Sequence, residues 1–203
     1  MTRSRWLAFA LGAALLLVGA HLLDRWAYAG LAYPPGNDRD WGRMLRIVGF
    51  APSWGILALA LYLESRATPG WNRQCDAALG IVIAVAAGGL LGEAIKLVVR
   101  RNRPDATLAY TFRPFADHPW STRDFGMPSS HAMVAFAGAT ALSRRYPRAA
   151  PVLFALAAGC GLTRLMAQAH FLSDVVAGAI GGTAVALAPR LRAGSGPRPA
   201  RAD

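Results

Sequence analysis

A chain of 203 residues that is 54% hydrophobic, with positive mean hydropathy and a formal charge of +11, has the composition of a single bundle of membrane helices. Its basic residues flank apolar runs instead of forming a stripe or alternating with aromatics. That excludes nucleic acid as the partner and leaves an anionic lipid surface or an anionic substrate.

In chain order, apolar segments near the length a bilayer core demands run over 6–23, 45–63, 77–99, 128–142, 149–166 and 170–189. They predict an all-α, polytopic membrane protein, a bundle of six transmembrane helices in one domain over 1–192. The first segment follows Arg3 and Arg5, and Ala27-Tyr28-Ala29 would suit a signal-peptide cleavage site. The run is longer than a signal core, however, and Asp24 and Arg25 close it as an interfacial boundary would, so it is read as a retained helix. Cys75, near the third segment, and Cys160, in the fifth, are far apart and have no Cys or His at ligand spacing; both are read as inert. The Gly-, Pro- and Arg-rich stretch 193–203 has no apolar period and is expected to be a disordered tail.

Three polar stretches interrupt this pattern: "KLVVRRNRP" at the end of the third segment, "PSSH" at the start of the fourth, and "TRLMAQAHFLSD" between the fifth and sixth. With six spans, all three fall on one face. Lys96, Arg103 and Arg164 supply fixed positive charge suited to phosphate oxygens, the arginines as planar forks and the lysine as a point charge. His131 and His170 supply two groups that titrate near neutrality, one able to attack phosphorus and one able to protonate a leaving oxygen. Asp174, four residues after His170, shares its helix face and can orient the imidazole.

Each feature also has a plainer reading. Arg144, Arg145, Arg148, Arg190 and Arg192 are read as headgroup anchors, and His21 and His118 as structural. A His-x-x-x-Asp pair can hold a metal, but three nearby cations and too few carboxylates argue against one here, so no metal or cofactor is expected. Lys96 lies inside an apolar run, where a charge needs a cavity or a partner; Glu93, one turn earlier, can be that partner.

Lys96 with Arg103-Pro104 seven residues on, Pro128-Ser129-Ser130-His131, and Thr163-Arg164 followed by His170 and Asp174 resemble the three-part signature of the type 2 phosphatidic acid phosphatase superfamily, shared with vanadium haloperoxidases. The resemblance covers 96–174 and implies metal-independent phosphomonoester hydrolysis on the non-cytoplasmic face. It implies His170 as the nucleophile of a phosphohistidine intermediate, Asp174 as its orienting partner and His131 as the acid. Lys96, Arg103, Arg164 and Ser129 are then the phosphate-holding residues. Two positions depart from the family pattern: Thr163 stands for serine and keeps the hydroxyl. Ser130 stands for glycine, where a helix N-terminus would tolerate serine and still present its amides to phosphate.

Six spans put both termini on one side and divide the 22 Lys and Arg evenly, eleven to each side. Weighting the short basic loops places the termini in the cytoplasm and the site outside, in a bacterial-type inner membrane. Among lipid phosphates the sequence leans towards undecaprenyl diphosphate, with Arg100, Arg101, Arg113 and Arg123 as holders of a second phosphate or as contacts to acidic headgroups. Phosphatidic acid and phosphatidylglycerol phosphate are close alternatives, as is a non-catalytic protein that binds or moves phospholipid. Nothing in the sequence speaks to oligomeric state.

Overall fold

The computed structural model describes residues 2–32, 40–68 and 70–188. Arg190, Arg192 and the expected tail over 193–203 lie outside the described residues. Those residues form α1 (Arg3–Leu22), α2 (Asp24–Gly30), α3 (Asp40–Ile47), α4 (Ala51–Ser65), α5 (Arg73–Val99), α6 (Ser130–Ser143), α7 (Ala150–Met166) and α8 (Leu172–Leu187), with a 3₁₀ turn, Pro147–Ala149, leading into α7. Among them the only β pairing is a pair of isolated bridges, Arg101 with Phe112 and Asn102 with Phe125, so the all-α reading holds.

Helix ends follow local chemistry. Asn72 caps α5: its side-chain oxygen accepts from the Cys75 N–H at 3.0 Å, while its amide nitrogen donates to the Ser65 carbonyl at 2.8 Å and ties the α4–α5 turn. At its other end α5 stops at Arg100, which takes the left-handed conformation at φ 54° and donates its N–H to the Lys96 carbonyl at 2.9 Å.

The architecture centres on α6, which packs against α5, α7 and α8. Its alanines 132, 135, 137, 139 and 141 are all fully buried. Small residues let backbones approach where lipid supplies no hydrophobic drive between helices. On α8, a Cβ at Gly182 would stand 2.2 Å from the Met133 carbonyl oxygen of α6, so only glycine fits that crossing. Outside this core, Leu7, Leu11, Leu15 and Leu22 of α1 remain exposed, a surface for acyl chains.

Six spans of similar length are not what the helices provide. Three helical stretches, Arg3–Leu22, Arg73–Val99 and Pro147–Met166, are long and apolar enough to cross a bilayer, and the pair α3–α4, bent by 65°, makes a fourth if counted as one. With 14 and 16 residues, α6 and α8 reach only about 21–24 Å at 1.5 Å per residue, short of the roughly 30 Å hydrocarbon core. The reason is physical: α6 and α8 are packed within protein, and polar residues replace apolar ones at the end where both begin. Backbone at membrane depth is tolerated where protein or a polar cavity surrounds it.

Candidate active site

The C-terminal ends of α5 and α7 and the N-terminal ends of α6 and α8 meet at one end of the bundle, beneath the loop 100–127. Arg100 organises that loop. Its buried guanidinium donates to the carbonyls of Arg113, Pro114, Asp117 and Pro119 and lies over the rings of Phe115 and Phe125 at 5.2 and 5.0 Å. Those bonds hold a non-glycine residue in the left-handed region, which alone costs about 1 kcal/mol.

Lys96 is buried at the end of α5, and its Nζ donates to Glu93 Oε1 at 2.9 Å and to the Ser130 hydroxyl. The Ser130 hydroxyl in turn donates to the same Glu93 oxygen at 2.7 Å. Glu93 is thus the partner expected for Lys96. Ser130, in the position where the family pattern has glycine, bridges the pair.

Ser129 is the N-cap of α6 and is fully buried. Its N–H donates to the Asp174 carbonyl at 2.9 Å, so its main chain is already used, but its hydroxyl has no partner among the described residues. The first helical bond of α6 runs from Met133 N–H to Ser129 carbonyl at 2.9 Å. The amides of the preceding first turn therefore point out of the helix end, where an anion is favoured. His131 occupies that first turn.

His170 is 3% exposed, and its Nδ1 lies 2.9 Å from the Gly126 carbonyl oxygen. A carbonyl only accepts, so Nδ1 carries the proton and Nε2 carries the lone pair. Burial pushes the imidazole below the ordinary histidine range; the charges of Arg164 and Arg103 act in the same direction, against the opposing effect of Asp174. A neutral ring with an unprotonated Nε2 is the form that can attack phosphorus.

His170 precedes α8, which begins at Leu172, so it does not share a helix face with Asp174 as expected; the turn into the helix brings the two together instead. Oδ2 of Asp174 lies 3.7 Å from His170 Nδ1, beyond a hydrogen bond, and accepts the Phe171 N–H at 2.8 Å. Oδ1 accepts from Arg101. A Cβ at Gly126 would stand 2.7 Å from Asp174 Oδ2, so glycine is required where the main chain passes between carboxylate and imidazole. Asp174 therefore places His170 chiefly through its field and the backbone it fixes. Arg164, buried in the last turn of α7, joins the same cluster; Arg103 is exposed on the rim, with its N–H donated to the Asp124 carbonyl at 2.9 Å.

Of the cations read as holders of a second phosphate, Arg100, Arg101 and Arg113 are engaged and Arg123 is exposed. Arg100 and Arg101 are buried, the latter bonded to Asp174 and to the Ser173 hydroxyl at 2.8 Å. Arg113 pairs with Asp117 at 3.6 Å and Asp124 at 3.8 Å. Sequence reading could not see this, because the loop's carbonyls and the Ser173–Asp174 step are partners only in three dimensions.

Asp24 was read as a helix boundary and turns out to be fully buried. It accepts from the Ser173 N–H at 2.7 Å, the Ser173 hydroxyl at 2.6 Å and the Tyr110 hydroxyl at 3.1 Å. Through Ser173 and Arg101 it joins the start of α2 to the residues around Asp174. His21, stacked on Tyr110 at 4.7 Å, belongs to the same support. An aspartate closing an apolar segment, read as able to face inwards, was the available signal. Cys75 and Cys160 are both free thiols.

Residues 77–192 match the family model described as PAP2 superfamily. The lipid A 1-phosphatase of Rhizobium etli is 30% identical over 172 residues, spanning 77% of this chain and 72% of that protein. The lipid A 1-phosphatase of Rhizobium johnstonii is 34% identical over 101 residues, 48% of this chain and 40% of that one. Among solved structures, the transmembrane PAP2 type phosphatidylglycerolphosphate phosphatase from Bacillus subtilis superposes with a TM-score of 0.60 at 18% identity, covering 88% of this chain and 90% of that chain. At that identity the likeness speaks for the fold.

Proposed function

The chain belongs to the PAP2 superfamily and is a membrane lipid phosphatase of that family, and on that premise we propose that it hydrolyses a lipid phosphomonoester through a phosphohistidine on His170. Nε2 of His170 attacks phosphorus as the bond to the lipid oxygen breaks, and His131 gives that oxygen its proton. Water, deprotonated by His131, then cleaves the phosphorus–nitrogen bond and releases inorganic phosphate, returning both histidines to their starting states. Lys96, Arg103 and Arg164, the Ser129 hydroxyl and the amides opening α6 at Ser130 hold the equatorial oxygens, where charge spreads in the transition state.

The observation that carries this reading is the fixed tautomer of His170. Its Nδ1–H is held by the Gly126 carbonyl, so the ring offers its lone pair at Nε2, and the nearby cations are Arg164 and Arg103. No step calls on a metal, and activity is expected to persist in EDTA and to be blocked by vanadate, whose trigonal-bipyramidal adduct imitates the transition state.

For the substrate, the relatives named lipid A 1-phosphatase favour a phosphate on a lipid-anchored sugar. Undecaprenyl diphosphate, preferred on sequence grounds, asks for a second phosphate site, and Arg100 and Arg101 are engaged elsewhere. Phosphate release by purified protein from lipid A, undecaprenyl diphosphate, phosphatidic acid and phosphatidylglycerol phosphate is the test. Fastest release from lipid A, lost in His170→Ala, is expected; preference for the undecaprenyl substrate would overturn the substrate assignment, and release unaffected by His170→Ala would overturn the mechanism. We further place the site on the periplasmic face of a bacterial inner membrane, with the termini in the cytoplasm.

A further inference from the structure

We propose that Arg101 is a positioning residue for the nucleophile, holding Asp174 on one side of His170 and the Gly126 main chain on the other. The proposal rests on the phosphatase reading above and deepens it, since His170 is the group it positions.

Arg101 falls among the intervening residues of the "KLVVRRNRP" stretch and is 4% exposed. A guanidinium so enclosed needs acceptors of its own. Its Nη2 donates to Asp174 Oδ1 and, at 2.8 Å, to the Ser173 hydroxyl, and its Cζ lies 5.3 Å from the ring centroids of both Tyr110 and Phe171. Ser173 is in turn held by Asp24, so the guanidinium has a braced seat. Its main chain makes a second connection. The Arg101 carbonyl accepts the Gly126 N–H at 2.8 Å, and the Gly126 carbonyl lies 2.9 Å from His170 Nδ1. One residue therefore touches both groups that flank the imidazole.

What the side chain does follows from the carboxylate it holds. Asp174 is fully buried, with Oδ1 on Arg101 and Oδ2 on the Phe171 N–H, and Oδ2 stays 3.7 Å from His170 Nδ1. Without Arg101 the carboxylate loses the partner of Oδ1 and can turn onto Nδ1. An uncompensated carboxylate beside the ring favours imidazolium, which lacks the Nε2 lone pair. The other ionisable groups around His170 are Arg164 on α7, Arg103 in the loop after α5, and His131 on α6, itself in the field of Lys96 and Arg46; Asp24 stands behind Ser173 at the start of α2. All of these stay in place when the Arg101 side chain alone is changed, so a change in how His170 titrates reports the Arg101–Asp174 pair.

The experiment follows phosphate release across pH for full-length wild type, Arg101→Gln, Arg101→Lys, Asp174→Asn and the double variant Arg101→Gln/Asp174→Asn. The substrate is whichever of lipid A, undecaprenyl diphosphate, phosphatidic acid and phosphatidylglycerol phosphate the wild type cleaves fastest. Arg101→Gln, which keeps an amide donor for Asp174 without the charge, is expected to lower kcat by about 10–100-fold with little change in KM. Its acid limb of kcat/KM is expected to rise by about one pH unit. Arg101→Lys, which keeps a charge beside Asp174, is expected to return the limb to the wild-type pH. In the Asp174→Asn background the glutamine substitution is expected to cost less than about threefold, because the group it acts through is gone. An acid limb at the wild-type pH in folded Arg101→Gln, or an equal loss with and without Asp174, overturns the positioning role and leaves the phosphatase reading intact. If Arg101→Gln fails to fold, Asp174→Asn is expected to restore folding, since no lone buried charge then remains; failure of that repair marks a purely structural residue and overturns the proposal. Absence of phosphate release by wild type from every substrate overturns both.

Discussion

At the scale of single residues, His170 carries the chemistry and its surroundings fix its form. The nucleophile must be neutral, and burial holds its ionisation below the ordinary histidine value of 6.5. As pH falls, protonation removes the Nε2 lone pair, so the acid limb of kcat/KM is expected below 6.5, with the alkaline limb set by loss of the proton that His131 donates; an acid limb at or above 6.5 would contradict the buried, neutral ring. His131 is assigned by a different signature. If it protonates the leaving oxygen, His131→Ala should lower kcat/KM, which reports formation of the phosphohistidine, by about 10²–10⁴-fold for alkyl phosphates and far less for p-nitrophenyl phosphate, whose leaving group needs no proton, while kcat falls for both through the lost base. Equal losses of kcat/KM on both would remove it as the acid. The sequence made these residues legible because the chemistry needs particular side chains at particular spacings. It did not make Gly126 legible as the holder of His170, because a main-chain carbonyl has no sequence signature.

At the scale of elements, the site stands where helix ends are pinned by buried polar bonds. Asp24 is the clearest case. Replacing it with asparagine puts an amide N–H₂ against donors, since Ser173 N–H, Ser173 hydroxyl and Tyr110 hydroxyl all point at the carboxylate. Asp24→Asn is therefore expected to lower stability by about 2–3 kcal/mol, the value of a lost charge-assisted bond with an unsatisfied group left behind. Because Ser173 adjoins Asp174, kcat is expected to fall more than KM rises. Unfolding followed by helical circular dichroism with parallel kinetics checks both; wild-type values in each would dismiss the link from α2 to the site. The sequence reads 128–142 and 170–189 as spanning segments where the structure has the shorter α6 and α8, because hydropathy reports how apolar a segment is, and a helix buried in protein is as apolar as one that crosses lipid.

At the scale of the whole molecule, two basic clusters stand at opposite ends of the bundle. The catalytic cluster occupies one end, while Arg73, Arg144, Arg145 and Arg148 line a cavity of about 800 Å³ at the other, where Arg145 pairs with Asp76 and Arg144 donates to the Ala186 carbonyl. In a Cys75→Ala, Cys160→Ala background, single cysteines at exposed Thr107 and exposed Arg148 should report the two faces. An impermeant thiol reagent on intact spheroplasts is expected to label position 107 and spare 148; the reverse would turn the site to the cytoplasm. Convergence of the three motifs was legible from alternating helix ends alone. Charge accounting was not, because whether Arg100 or Arg101 is available to substrate depends on loop carbonyls and on Asp174. The central claim, that the phosphoryl group passes through His170, is tested most directly by quenching turnover with base and mapping the protein-bound phosphoryl group. An acid-labile, base-stable adduct on the peptide containing His170, absent in His170→Ala, is the expected result. Sustained phosphate release without any such adduct, or release that survives His170→Ala, would contradict it.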